Sequence, residues 1–203
     1  SGVVRAGDEI VALPSGRRST VDQIVTAEGS HDEAWCGQAV ALTLSDELDV
    51  SRGDMFVRPH DCPRTSNQID AMVVWMSDAP MVPGKHYLIR QATKISNGAV
   101  RILHNKIDVN SQMSEAAEIL ALNEIGRVSL TADQAIFWDP YECNRATGAF
   151  ILIDRLTNAT VAAGMVLDRT ESDLWDVPAP EGLTRALSGV TQEEREFRYG
   201  QKA

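Results

Sequence analysis

The stretch from Asn144 to Val166 constrains the fold more than any other part of the chain. It reads NRATGAFILIDRLTNATVAAGMV and contains two apolar runs, Ala149 to Asp154 and Thr160 to Val166, on either side of a Thr-Asn turn signal. Runs of six or seven residues bounded by Gly, Asn and Thr have the length of strands rather than helices. The stretch therefore predicts a β-hairpin whose strands are buried on at least one face.

Short strand patterns recur before this hairpin, with turn signals between them. Two short runs, Val3–Val4 and Ile10–Leu13, flank a turn at Ala6–Asp8. The later apolar or alternating runs are Thr20–Thr26, Ala39–Leu44, Met55–Arg58, Ile69–Met76, His86–Gln91, Thr93–Ile107 and Gly126–Leu130. Glu28–Glu33 is predicted to be a polar loop, and Ser114–Leu122 is the one segment where a helical turn competes with strand. Strands with a turn signal every 8 to 12 residues or so are typical of an all-β barrel or sandwich.

Composition predicts two strand-rich domains and a linker. The segment Pro59–Gln68 has two prolines and many polar residues, and it separates two strand-rich regions. We therefore expect a first domain in residues 1–62 and a second in residues 63–169. Residues 170–203 have a low density of apolar side chains and scattered charge, which predicts a linker.

The charge balance argues against two classes of partner. A net charge of -10 with a pI near 4.8 opposes binding to nucleic acid or to anionic membrane surfaces. The sequence contains neither an apolar run of membrane-spanning length nor a signal-peptide pattern, so a soluble, cytoplasmic protein is predicted. Three widely spaced cysteines, Cys36, Cys62 and Cys143, fit free thiols better than a disulfide framework.

One short string mimics a nucleotide site. Asn105-Lys106-Ile107-Asp108 matches the Asn-Lys-x-Asp pattern with which GTPases bind guanine. A GTPase also needs the GxxxxGK[ST] loop that holds the phosphates, and this loop is missing from the sequence. We interpret the string as an exposed strand end.

Neither metal nor nucleophilic chemistry has support in the sequence. His31, His60, His86 and His104 lack the spacing of metal ligands, although His31-Asp32-Glu33 could attract a cation in a loop. The sequence has no GxSxG string and no cysteine with an evident histidine partner. No catalytic, cofactor-binding or metal-binding residue is therefore assigned.

Two arginines and three tryptophans have competing interpretations. Arg145 and Arg155 flank the first run of the hairpin, where they could bind an anion or make structural ion pairs. Trp35, Trp75 and Trp138 are most simply aromatic residues of a barrel core or rim.

Five strings give the chain a specific resemblance. They are LPSGRRSTV (Leu13–Val21), GQAVALTLSDELDVSRGD (Gly37–Asp54), QIDAMVVWM (Gln68–Met76), LALNEIGRVSL (Leu120–Leu130) and the hairpin stretch itself. Together they resemble the large, GTPase subunit of bacterial sulfate adenylyltransferase over roughly residues 1–168. That family is similar to translation elongation factors, with a GTP-binding domain followed by two β-barrels, and the resemblance covers the barrels only.

The resemblance implies that nucleotide binding and coupling belong to different domains. GTP and Mg²⁺ would bind an upstream domain, whereas these barrels would be non-catalytic and would couple that domain to the small catalytic subunit. The holoenzyme forms adenylyl sulfate and pyrophosphate from ATP and sulfate. The chain on its own is expected to be inactive.

The resemblance also implies two departures at the ends. The segment Ser1–Val4 resembles a strand already inside the first barrel, so that barrel is expected to lack its opening strands and to have its edge covered by another chain, a swapped segment or another part of the protein. The segment Val190–Ala203 resembles the linker to an adenylyl-sulfate kinase domain in bifunctional forms.

Two alternatives to this function stay open. They are a translation-factor-like module that binds tRNA or another protein, and an independent anion-binding barrel.

Overall fold

The structure is a computed structural model that describes residues 2–109, 111 and 113–168. Its elements are β1 (Val3–Arg5), β2 (Glu9–Leu13), β3 (Arg17–Thr26), β4 (Gly29–His31), β5 (Glu33–Trp35), β6 (Ala41–Leu44), β7 (Met55–Val57), β8 (Arg64–Trp75), β9 (His86–Gln91), β10 (Lys94–Ile107), β11 (Ser114–Glu115), β12 (Ile125–Trp138), α1 (Arg145–Gly148), β13 (Ala149–Asp154) and β14 (Thr160–Val166). Apart from the single turn of α1, all of these elements are strands, which confirms the predicted all-β class.

Six strands in the second half of the chain form a closed antiparallel barrel. Their order is β10-β12-β8-β14-β13-β9, and β9 also pairs with β10 to close the ring. The short strand β11 extends β10 outside this ring. Because every strand of a closed ring has two neighbours, the barrel has no unpaired edge.

The inward side chains of the barrel form one continuous core. Twenty buried residues belong to it, and Trp75 packs edge-on against Tyr87 with ring centroids 5.8 Å apart. Met81 and Leu120, both fully buried, exchange backbone hydrogen bonds of 2.8 and 3.2 Å in a bridge between two loops. The core therefore includes loop residues as well as the strands.

The hairpin predicted from Asn144–Val166 is confirmed at both of its strands. Phe150 lies opposite Gly164 on the inner face, where an added Cβ at residue 164 would lie 2.2 Å from the Phe150 ring. In the turn, the Asp154 carboxylate accepts hydrogen bonds from the backbone N–H groups of Leu156 and Thr157 at 2.9 and 3.1 Å. These bonds stabilise the turn in the way that short acidic side chains commonly do.

The first part of the chain forms two smaller sheets. β1 pairs with β5, and a five-stranded sheet has the order β4-β3-β2-β7 with β6 also on β3. Among the described residues these sheets do not close into a ring. Their core contains four buried residues, Ile10, Val21, Ile24 and Ala34, with partly buried neighbours around them.

Several sequence interpretations differ from the structure or lie outside it. Glu28–Glu33, predicted to be a loop, contains β4 and the start of β5, because polar exposed residues pair in a narrow antiparallel ribbon. Of the three tryptophans interpreted as core or rim residues, Trp75 and Trp138 are buried in the core and Trp35 is 56% exposed. The predicted linker, residues 170–203, lies outside the described residues. In the described part of the chain, no helix has the length and apolarity that crossing a bilayer requires.

Candidate functional site

The Asn105–Asp108 string lies at the end of β10 and does not suit guanine binding. The Lys106 ammonium donates to the Glu124 carboxylate at 3.0 Å, and this hydrogen bond raises the pKa of Lys106. The pKa of Glu124 is lowered, first by the backbone N–H of Ala121 and then by Lys106. Asp108 accepts a hydrogen bond from the Ser111 hydroxyl at 2.9 Å. The lysine and aspartate of the string therefore have local partners, so the residues present do not fit the nucleotide.

The four histidines lie apart from one another. His31 contacts the Thr26 hydroxyl at 3.0 Å on an exposed ribbon, and His60 and His86 are exposed. Only His104 belongs to a polar cluster. Within residues 2–109, 111 and 113–168, no group of three His, Cys, Asp or Glu side chains has the arrangement of a metal site. The three cysteines are exposed free thiols.

That polar cluster joins three strands on the outside of the barrel. The Ser129 hydroxyl donates to Asp70 at 2.6 Å, and His104 Nε2 lies 2.7 Å from the same hydroxyl. Arg127 lies 3.9 Å from the other Asp70 oxygen. In a catalytic triad the histidine stands between the acid and the nucleophile. Here the serine stands in the middle, so the cluster connects strands β8, β10 and β12 and is not arranged for nucleophilic attack.

A groove lies on the outer face of the barrel. It measures about 600 Å³, and we call it the outer groove; its lining residues are Val74, Arg90, Ala92, Tyr141, Arg145, Ala146, Ala149, Phe150, Ile151, Ala163, Gly164 and Met165. Its floor is the sheet surface of β8, β14, β13 and β9. The loop before α1 and α1 itself contribute further residues to the lining. Ala163 and Ala149 keep the floor low because their side chains are single methyl groups.

Local sequence explains how the rim of the outer groove is built. The Asn144 side chain accepts a hydrogen bond from the N–H of Ala146 at 3.2 Å and caps the single turn of α1. Thr147 donates to the Asp139 carboxylate at 2.6 Å, which holds the turn against the preceding loop. The Arg145 guanidinium then lies over the Tyr141 ring, 5.8 Å from its centroid. This cation–π contact fixes one positive charge at the rim.

The two arginines singled out by the sequence have different positions. Arg145 lines the outer groove, whereas Arg155 lies in the exposed turn at the opposite end of β13. Arg90, which no sequence pattern singled out, supplies the second guanidinium of the groove. The available signal was the run Phe150–Ile153, which is apolar on both faces of a strand whose outer face would ordinarily be polar.

Comparisons with known proteins agree with this architecture. Residues 68–167 match the family described as GTP-eEF1A C-terminal domain-like. Among solved structures, Sup35 complexed with GDP superimposes with a TM-score of 0.74 at 17% identity, covering 84% of this chain and 42% of that one. The class is therefore an elongation-factor-like β-barrel protein.

Curated relatives narrow the class further. The bifunctional enzyme CysN/CysC of Rhodopirellula baltica is 50% identical over 100% of this chain and 32% of its own length. Sulfate adenylyltransferase subunit 1 of Alteromonas mediterranea is 50% identical over 85% of this chain and 37% of its own. The same subunit of Bacteroides fragilis is 46% identical over 84% and 36%. The chain belongs to the family of sulfate adenylyltransferase subunit 1, and it spans about a third of the length of these relatives.

Proposed function

We propose that this chain is the non-catalytic β-barrel region of the large subunit of a GTP-dependent sulfate adenylyltransferase. The holoenzyme makes adenylyl sulfate and pyrophosphate from ATP and sulfate. In this proposal the barrels couple a GTPase domain elsewhere in the large subunit to the small catalytic subunit. The chain alone has neither activity.

The observation that carries this proposal is the 50% identity over the whole chain to the bifunctional enzyme CysN/CysC, with 50% identity over 85% of the chain to a sulfate adenylyltransferase subunit 1. It is supported by the Asn105–Asp108 string, whose lysine and aspartate have local partners. GTP and Mg²⁺ would then bind the upstream domain and not these barrels. A cytoplasmic location follows for a complex that uses ATP and GTP.

We further propose the domain division of residues 1–62, 63–169 and 170–203. The first division falls in the segment between β7 and β8, and the second follows β14. The bifunctional relative matches all of this chain, whereas the relatives named subunit 1 match 84 or 85% of it. This difference supports a parent protein in which the last segment leads to a fused adenylyl-sulfate kinase. A parent reading frame without a downstream GxxGxGK[ST] string would refute the fusion.

The match of residues 68–167 to the family described as GTP-eEF1A C-terminal domain-like suggests a second candidate function, a translation-factor-like module that binds tRNA or another protein. The likeness to Sup35, with a TM-score of 0.74 at 17% identity, shows the fold alone, and a net charge of -10 opposes binding to a polyphosphate. Within this alternative, binding to tRNA is therefore less well supported than binding to another protein.

A binding experiment separates the two candidates. The full-length large subunit, with its GTPase domain, is immobilised and exposed to purified small sulfurylase subunit and, separately, to aminoacylated tRNA. The proposed function predicts retention of the small subunit and no retention of tRNA. Failure to retain the small subunit, with the GTPase domain folded and loaded with GTP, would refute it.

A further inference from the structure

The outer face of a barrel that lies in water ordinarily carries polar side chains, but this barrel has an apolar row there. In the cross-strand register, Arg90 lies beside Ile151, Ile151 beside Ala163, Ala163 beside Val74, and Val74 beside Ile125. Four of these five residues are apolar and point away from the core. Adjacent apolar side chains on an otherwise polar surface are typical of a contact with another molecule.

A second apolar row runs beside the first. Met165 lies opposite Ala149 on one neighbouring strand and opposite Met72 on the other, and it is 36% exposed. Methionine side chains adapt to the shape of a bound partner because they are unbranched and polarizable. The floor of the outer groove is therefore two apolar rows wide, and an apolar side chain of a partner can insert there.

The rim of the outer groove is positive, in a protein that is acidic as a whole. Arg90 and Arg145 are exposed, and neither forms an ion pair with an acidic side chain among the described residues. Outside the groove, the exposed Arg5 and Arg18 are paired with glutamates at 3.1 and 3.2 Å, whereas the exposed Arg101 and Arg155 also form no ion pair within the described residues. Two guanidinium groups without acidic partners beside an apolar floor complement a carboxylate-bearing segment.

We propose that the outer groove binds an acidic polypeptide segment of the small catalytic subunit that carries at least one apolar side chain. The apolar side chain inserts over Ala163 between Met165 and Ile151, and flanking carboxylates pair with Arg90 and Arg145. The proposal rests on the function proposed above and names the surface through which it operates. The net charge of -10 disfavours nucleic acid as the occupant.

The test is a binding titration of purified small subunit against the full-length large subunit. The variant R90E/R145E reverses both charges of the groove, and R101E/R155E makes the same change in net charge at two exposed arginines outside its lining. We expect R90E/R145E to weaken binding about tenfold or more, because charge reversal at an interface leaves the partner's carboxylates repelled. R101E/R155E is expected to bind within about twofold of the wild type, as surface charges outside an interface do.

Salt and folding controls accompany the titration. Raising the NaCl concentration should weaken the wild type more than R90E/R145E, because the variant lacks the attraction that salt screens. Both variants should have the same melting temperature as the wild type, because neither pair of arginines makes an ion pair within the described residues. If R90E/R145E does not fold, the neutral R90Q/R145Q variant replaces it with the same direction of effect.

The outcomes distinguish this inference from the proposed function. Equal binding by wild type and R90E/R145E, or equal weakening by both double variants, overturns the groove as the docking site and leaves the proposed function standing. A wild-type large subunit that does not bind the small subunit overturns the proposed function and this inference with it.

Discussion

The two halves of the described chain use strands in different ways. The second half closes six strands into a ring around twenty buried residues, whereas the first half has open sheets around four. Hydrophobic stabilisation grows with buried apolar area, and unpaired edges invite further pairing. We therefore infer that the barrel is the stable unit, and that the first half depends more on what surrounds it.

The same comparison explains where a partner surface can be built. A binding site is most precise on rigid strands whose other face is locked by a core. The outer groove has this support, because its floor residues alternate along their strands with Phe150, Leu152 and Trp75 of the barrel core.

The strongest test of the comparison deletes one core side chain from each half. Leu152 in the barrel and Ile24 in the first half are both fully buried. Leu152→Ala should destabilise the barrel by about 2–5 kcal/mol, the cost of lost transfer energy plus a cavity. Ile24→Ala should leave the barrel's unfolding transition unchanged. Denaturant unfolding followed by the fluorescence of buried tryptophan measures both; equal loss of the barrel transition in the two variants would contradict the account.

A smaller effect is expected at the tightest point of the barrel hairpin. In Gly164→Ala the new methyl group would lie 2.2 Å from the Phe150 ring, so the variant should lose about 1–3 kcal/mol through overpacking. Adding Phe150→Leu removes the ring atoms in question. The double variant should therefore be more stable than the sum of the single changes predicts, as a thermodynamic cycle of unfolding free energies would show. Simple additivity would mean that the strain lies elsewhere.

Acid should affect the two halves differently through two carboxylates. Hydrogen bonds from Lys85, and then from the N–H groups of Thr157 and Leu156, hold the pKa of Asp154 well below its usual range. The backbone N–H of Arg5, followed by the hydrogen bond from Arg58, lowers the pKa of Asp8 in the first half. The side chain of Asp154 is 11% exposed and that of Asp8 28%. Solvent therefore screens Asp8 more.

The sign of the pH effect follows from these lowered values. A carboxylate with a depressed folded-state pKa stabilises the fold above the unfolded-state pKa of about 3.9, and this contribution is lost as the pH falls through the folded-state pKa. Asp154→Asn should therefore be less stable than wild type at neutral pH, with the gap shrinking below about pH 4. Asp8→Asn should show a smaller gap. Thermal melts across acid pH measure both, and a gap for Asp154→Asn that widens in acid would contradict the assignment.

The smallest effect is expected at the string that mimics a nucleotide site. Asp108→Ala in the full-length large subunit should leave the affinity for guanine nucleotide unchanged, because Asp108 accepts a hydrogen bond from Ser111 within its own turn. A titration with fluorescent GDP measures this. Loss of guanine-nucleotide binding would show that the barrel does bind the base and that the two halves differ in more than stability.

Local patterns predicted the hairpin because its two strands are set by short apolar runs and a Thr-Asn turn. The turn of α1 was not predicted, although Asn144 is a typical capping residue, because four residues are too few to show helical periodicity. The pairing of β9 with both β13 and β10 closes the barrel, and it depends on long-range register that one strand cannot encode.

The outer groove was not predicted from the sequence, because it too depends on long-range strand pairing. Arg90 and Arg145 are far apart in the sequence, and only the neighbouring positions of β9 and α1 around β13 bring them to one groove. Arg145 and Arg155, which flank β13 in the sequence, lie at opposite ends of that strand, and of these two arginines Arg145 lines the outer groove.

Site-specific photo-cross-linking tests the central claim most directly. A photoreactive phenylalanine analogue replaces Met165 in the outer groove of the full-length large subunit, and a control replaces Leu156, which is 91% exposed at the far end of the same hairpin. With purified small subunit, the account predicts that position 165 cross-links to an acidic segment and position 156 does not. Cross-linking from position 156, with none from position 165, would contradict it.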